Sequence, residues 1–410
     1  MLQYWIWFAL HPALNGLQKR QLLEYYQDPE ELFFARSDAL SPEAEALSPL
    51  LEALIDRDLT EAEKILAQCT RDGIHMVTYG DEDYPRRLRN IDDPPMVLYY
   101  RGTLPNFDEK PVIGAVGTRK ATPYGLNTAR LLSFQMAACG ALVISGGAAG
   151  IDTAAMTGSL EANTPTVAVL GCGVDIVYPR SNRQLFEKVL EKGCLISEYP
   201  PGTPPLSWHF PRRNRIISGI SNGVLVIEAP ERSGALITAR LAFSQGRDVF
   251  VVPGNIDAAA CAGSNALLQE QALAVFSGWD VIKEYTALFP GKLRKDAPVP
   301  PAPQQESASP PPAAKPAQSS AERAKKNEFD KKAIDKGENN PYSGIKDKIS
   351  HLTGDERAVA EALTGESCSV DDLVVKTGIP TGKVLGILTA LSLSGIARFH
   401  PGKRVSLKTN

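Results

Sequence analysis

Apolar residues follow different rhythms in successive parts of the chain. Up to about residue 80 they recur at helical spacing, as in Leu17, Leu22, Leu23 and Tyr26, and again in Leu50, Leu51, Leu54, Ile55, Ile65 and Leu66. This predicts a small helical domain. Past Asp93-Pro94-Pro95, whose prolines forbid helix and suggest an edge strand or lead-in over 93–100, the rhythm shortens. Strand-length apolar runs at 112–116, 141–145, 166–170, 194–197, 224–228 and 249–252 alternate with amphipathic stretches at 124–138, 151–162, 182–192 and 235–244. Such alternation predicts an α/β fold, a Rossmann-like, mostly parallel sheet covered on both faces. Residues 291–345 lose all apolar period and are rich in Pro, Ala, Ser, Gln and charge, which predicts a disordered linker. After it come a helix, a second one opened by Ser369, Gly378, a third over 381–394 and a hairpin over 397–407, the order of a winged helix. The expected domains are 1–80, 81–290, 291–345 and 346–410.

Composition narrows the function classes. With 44 Lys and Arg against 47 Asp and Glu, the net charge is -3, so any anion-binding surface must be local. The six cysteines and five histidines are scattered, without the close pairs that bind zinc, so neither a metal nor a cofactor is expected. No run approaches the roughly 20 apolar residues of a membrane helix, and no basic leader precedes the apolar start. A cytoplasmic location follows as an expectation.

Candidate chemistry concentrates at the ends of the expected strands. Glycine there lets the backbone approach a phosphate closely, and a following helix points free N–H groups at it. Three turns qualify: Gly117-Thr118-Arg119, then Gly146, Gly147 and Gly150 before Ile151, and Ser233-Gly234 leading to Thr238. None completes a dinucleotide fingerprint, and no Gly-Lys pair is followed by Ser or Thr. Phe210, Arg212, Arg213, Asn214 and Arg215 add guanidinium forks beside an aromatic ring, the combination that single-strand binders use. Arg119, Arg212, Arg213 and Phe210 are therefore expected around one groove. Asp152 reads as a helix-start residue, and Glu198 and Glu228 as orienters of arginines. Gly219-Ile220-Ser221-Asn222-Gly223 has the letters of a nucleophile elbow, but it precedes a strand instead of following one, so no nucleophile is expected.

The central region resembles the DNA-processing protein A (DprA, also called Smf) family. The residues that carry the resemblance are Asp93-Pro94-Pro95 with Arg101-Gly102, Gly117-Thr118-Arg119, Ser145-Gly146-Gly147 with Gly150-Ile151-Asp152, and Val169 to Gly173 with Tyr178-Pro179. Ser197 to Gly202, His209 to Ser218, Ser233-Gly234 with Ile237-Thr238-Ala239, and Val252-Pro253-Gly254 continue it, over about 75–285. The resemblance implies a non-enzymatic protein that binds incoming single-stranded DNA, forms a homodimer and hands the strand to the RecA recombinase in natural transformation. It makes Arg119 and the arginines after Phe210 phosphate contacts, and Phe210 a stacking or pocket-lining residue. The departures are Ala149, where the family usually has arginine, and Leu14-Asn15-Gly16, which lacks the Gly-x-Gly of a helix-hairpin-helix turn. The competing readings are a nucleoside-monophosphate phosphoribohydrolase, whose Pro-Gly-Gly-x-Gly-Thr motif is absent, and an interaction scaffold. Val275 and Phe276 are the expected apolar residues at the dimer edge.

Overall fold

The computed structural model describes residues 1–36, 42–54, 56–295, 352, 354–363, 368–394, 396–400 and 404–407. It forms two compact units, Met1–Ala308 and Ser309–Asn410. The expected linker lies, from residue 296 onward, outside the described residues.

The N-terminal helical rhythm becomes α1 (Leu2–Leu10), α2 (Gly16–Tyr26), α3 (Pro29–Phe34), α4 (Ser48–Ala53) and α5 (Thr60–Asp72). Asn15 opens α2 with a reciprocal cap: its side chain accepts from the Gln18 N–H, and the Gln18 side chain accepts from the Asn15 N–H. Ile6, Phe8, Leu22, Leu32, Leu54 and Ile65 share a core with Val97 and Tyr99, which belong to the sheet. The helices are thus seated on the sheet itself.

That sheet has nine strands: β1 (His75–Thr78), β2 (Val97–Gly102), β3 (Val112–Val116), β4 (Leu142–Ser145), β5 (Thr166–Val169), β6 (Cys194–Ser197), β7 (Gly223–Val226), β8 (Asp248–Val251) and β9 (Leu273–Ala274). Their spatial order is β1-β2-β6-β5-β4-β3-β7-β8-β9. The pairs β1–β2 and β2–β6 are antiparallel and the rest parallel. The sheet therefore starts before residue 81. The segment expected as an edge strand is second from the edge, because β1 pairs beyond it.

Between strands lie α6 (Arg86–Arg89), α7 (Pro123–Ala138), α8 (Ile151–Glu161), α9 (Arg183–Lys192), α10 (His209–Ile220), α11 (Gly234–Ser244), α12 (Ala262–Leu267) and α13 (Gly278–Ile282). Alternation along β3 divides the core: Ile113 and Ala115 cluster with Leu132, Met136, Ile151 and Ala155 of α7 and α8. Val112 and Val116 cluster with Ile216, Ile217 and Ile220 of α10 and Leu236 and Ala239 of α11. Both faces are covered, as a parallel sheet requires.

The second unit contains α14 (Gly354–Ala362), α15 (Val370–Thr377), α16 (Thr381–Leu393), β10 (Cys368–Ser369), β11 (Ala397–His400) and β12 (Arg404–Leu407), with strand order β10-β12-β11. This is a winged helix. Lys383, the cation of α16, is paired with Asp355 at 2.5 Å, and Lys403 lies outside the described residues.

Where the helices meet the sheet, Lys19 is buried and donates to the Ala9 carbonyl at 2.8 Å. Burial, reinforced by Arg212 and opposed by Asp93 and Glu198, lowers its pKa from 10.5 to about 8. The folded chain then holds fewer protons than the unfolded one between about pH 8 and 10.5, so this group makes stability rise with pH across that window. The slope contributed is at most about 1.4 kcal/mol per pH unit. Urea unfolding of wild type and Lys19→Met from pH 7.5 to 10.5 should show the rise only in wild type. Equal slopes would contradict the assignment.

Candidate functional site

From β3 the chain steps outward through β4, β5 and β6, then returns to pair β7 on the other side of β3. The carboxyl ends of β3 and β7 thus flank a topological switch point, where the loops diverge and leave a crevice. A cleft of about 400 Å³ opens there. Its lining includes Gly117, Thr118, Arg119, Lys120, Asp152, Phe210, Arg213, Asn214, Arg232, Ser233, Gly234 and Thr238. Three helix N-termini end at these loops: Thr122 caps α7 by accepting the Gly125 N–H, Gly150 precedes α8, and Ser233 caps α11 by accepting the Ala235 N–H. Their free N–H groups and dipoles favour an anion.

Glycine is required beneath this cleft for two reasons. At Gly146 a Cβ would sit 1.9 Å from Arg213 Nη1, so only a bare backbone leaves room for the guanidinium. At Gly150 the backbone has φ +83°, and a Cβ would meet the Thr118 carbonyl at 2.4 Å. Gly147 completes the same turn.

The arginines of α10 do not act together. Arg213 points under the glycine turn, buried, with Nη2 donating to the Gly146 carbonyl at 3.0 Å and Nε without a partner. Burial lowers its pKa to about 10, opposed by Asp152, whose own carboxyl is raised by burial and held down by Arg213. Arg215 leaves the cleft altogether: it donates to both oxygens of Glu198 at 2.9 and 2.6 Å and to Asp93 at 2.9 Å. Burial disfavours its charge, but the two carboxylates more than offset this and its pKa lies above the ordinary value. Arg212 is half-exposed, 4.0 Å from Glu198, and does not line the cleft. The expected groove of Arg119, Arg212, Arg213 and Phe210 therefore keeps three of its members. The reason is helical: at about 100° per residue, neighbours on α10 face different surroundings.

The remaining expected residues converge. The Arg119 guanidinium lies over the Phe210 ring, 5.0 Å from its centroid. Asn214 donates to the Gly234 carbonyl at 3.3 Å, and Thr238 lines the buried wall. Glu228 does not orient an arginine. Its carboxylate accepts the Thr122 N–H at 2.9 Å and the Thr122 hydroxyl at 2.5 Å, fixing the start of α7. Lys120 and Arg232 are exposed cations on the rim that the sequence reading passed over. Their signal was adjacency: each directly neighbours a glycine-turn motif. Among the described residues no group of three or more His, Cys, Asp or Glu side chains is arranged to hold a metal, and no helix is long and apolar enough to cross a membrane.

Residues 75–286 match the family of the DNA recombination-mediator protein A, and residues 346–403 match the DprA winged helix domain. The chain belongs to the DNA recombination-mediator protein A family. It is 37% identical over 278 residues to Protein Smf of Synechocystis, covering 67% of this chain and 70% of that one. It is 40% identical over 221 residues to DNA processing protein DprA of Bacillus subtilis, covering 54% and 74%. The X-ray structure of DNA processing protein A from Streptococcus pneumoniae superposes with a TM-score of 0.58 at 33% identity, over 69% of this chain and 98% of that one. The match begins at the first residue of β1, so the antiparallel strands belong to the family's domain.

Proposed function

We propose that the cleft binds the phosphates of single-stranded DNA and that the chain delivers the strand to the RecA recombinase in natural transformation, without catalysing a reaction. The observation that carries this reading is the convergence of three helix N-termini with Arg119, Lys120, Arg213 and Arg232 at one switch-point crevice. Arg119, Lys120 and Arg232 are exposed, and the aromatic pair of Phe210 and Tyr178 sits beside Arg119, which suits an unpaired strand better than a duplex. The names of the DNA-processing relatives point the same way. The lone buried carboxylates of the site, Asp152 and Glu228, are taken up by the Ala148 N–H and by Thr122, which supports a binding role over acid–base chemistry.

The test is an affinity series with single-stranded and duplex oligonucleotides at two salt concentrations. The single strand should bind more tightly, with affinity falling as salt rises. Equal affinity for duplex, or none for either, would overturn the reading, as would release of free base from a nucleoside monophosphate by purified protein. Strand delivery predicts faster RecA filament growth on DNA held by the wild-type chain than by Arg119→Glu.

A homodimer is part of the same proposal. Val275, expected at the sheet edge, is buried, whereas Leu273 in the edge strand β9 and Phe276 just beyond it are exposed, Phe276 by 80%. Phe276→Glu should shift the protein to monomer in light scattering at tens of micromolar, where an association of about −7 kcal/mol is visible. A wild type that is already monomeric there would count against it.

A further inference from the structure

Phe210 is poorly placed to take a base itself. Arg119 covers its ring, and Gly171 lies so close on the Cγ–Cδ1–Cε1 side that a Cβ there would approach those atoms to 3.1–3.5 Å. An open aromatic surface next to Phe210 belongs to Tyr178. Its ring centroid lies 5.4 Å from that of Phe210, the planes inclined at 39°, and 40% of the residue is exposed. Its hydroxyl has no hydrogen-bond partner among the described residues.

The support behind that ring is fixed. His209 Nδ1 donates to the Gly171 carbonyl at 3.1 Å, tying the start of α10 to the loop that follows β5. Within the loop the Ile176 N–H donates to the Gly173 carbonyl at 3.0 Å, and Asp175 accepts the Gly202 N–H at 2.9 and 3.0 Å. A ring presented on such a turn loses little freedom when a ligand stacks on it. The 5.4 Å between Tyr178 and Phe210 is too small to admit a base between them, which takes roughly 6.8 Å, twice the 3.4 Å rise of stacked bases. Only the open side of Tyr178 is therefore available.

We infer that Tyr178 is a base-stacking station: an unpaired base of the strand whose phosphates occupy the Arg119 cleft lies on its exposed ring, with Phe210 as the backing layer. This rests on the strand-binding reading above and adds to it the group that engages the bases. Arg119, Phe210 and Tyr178 then form one stepped stack in which the first member meets phosphate and the last meets base.

The experiment uses the full chain and two probes of equal length, an oligothymidylate and an abasic deoxyribose-phosphate strand. Tyr178→Ala should bind the oligothymidylate roughly tenfold more weakly with the salt slope unchanged, and Tyr178→Phe should bind like wild type. On the abasic strand wild type and Tyr178→Ala should bind alike. Tyr178→Leu, which retains apolar packing on Phe210, should behave like Tyr178→Ala and stands in for it should the alanine variant fold poorly. Wild-type affinity of the folded leucine variant for oligothymidylate would overturn the inference. So would an equal loss on both probes, since that is the signature of a support for the phosphate cleft. Wild type binding neither probe would overturn the strand-binding reading and this station with it.

Discussion

Arg119→Glu is expected to weaken single-strand binding by one to two orders of magnitude while leaving the fold intact. The guanidinium is exposed and rests on an aromatic ring, with no carboxylate partner among the described residues, so reversing its charge should remove a phosphate contact at little cost to stability. A charge-assisted hydrogen bond of this kind is worth about 1.5–3 kcal/mol. Because phosphates carry no base identity, the loss should be uniform across sequences. The dependence of log affinity on log salt should flatten by about 0.7 for the contact removed. Phe210→Ala should lose part of the same energy, because it removes the surface on which Arg119 lies. The two losses should not add in a double-mutant cycle. Wild-type affinity and salt slope in a folded Arg119→Glu protein would sink the proposed cleft.

Arg215→Ala should fail in the opposite way, through stability. Arg215 and Glu198 are each 10% exposed at the side chain, and removing one strands the other without its partner. Breaking a buried pair in this manner costs about 3–5 kcal/mol, or a fall in Tm on the order of 10 °C for a unit of this size. The folded fraction should keep its affinity and its salt slope. Replacing both partners, as in Arg215→Met with Glu198→Met, should recover much of the loss, since an apolar pair of similar volume avoids the desolvation cost. A stable Arg215→Ala protein with a flattened salt slope would instead make Arg215 a phosphate contact.

These opposed fates show what the sequence could and could not disclose. The parallel strands were legible because burial on both faces makes them continuous apolar runs, and 112–116 and 194–197 coincide with β3 and β6. The three glycine turns were legible as turns ahead of helices, because close backbone approach and positive φ leave glycine at fixed places there. The helix α10 was not, since Pro211 and its cations obscured an apolar face at Ile216, Ile217 and Ile220; proline in a first turn removes only an N–H that has no partner within the helix. Without the helix, Arg212, Arg213 and Arg215 read as one cluster. β1 was hidden for another reason: His75-Met76-Val77-Thr78 is too short and mixed to announce a strand, and acquires its identity by pairing with Val97–Tyr100. The pairing of Glu228 with Thr122 joins residues 106 apart, a separation at which no local pattern carries information.

The position of β3 at the switch point also sets a timetable for synthesis. β3 can pair with β4 soon after both leave the ribosome, but its other neighbour lies far downstream: the Val112 N–H waits for the side chain of Asn222, 110 residues later. At roughly 5–20 residues per second, that leaves on the order of 5–20 s in which the central strand is an open edge. During that interval Val112 and Val116 have backbone groups free to pair with any passing strand. The nascent chain is thus most prone to aggregate before the cleft exists; α10 and β7, the last pieces to close the middle of the sheet, end that exposure, and α11 then adds the final wall of the cleft.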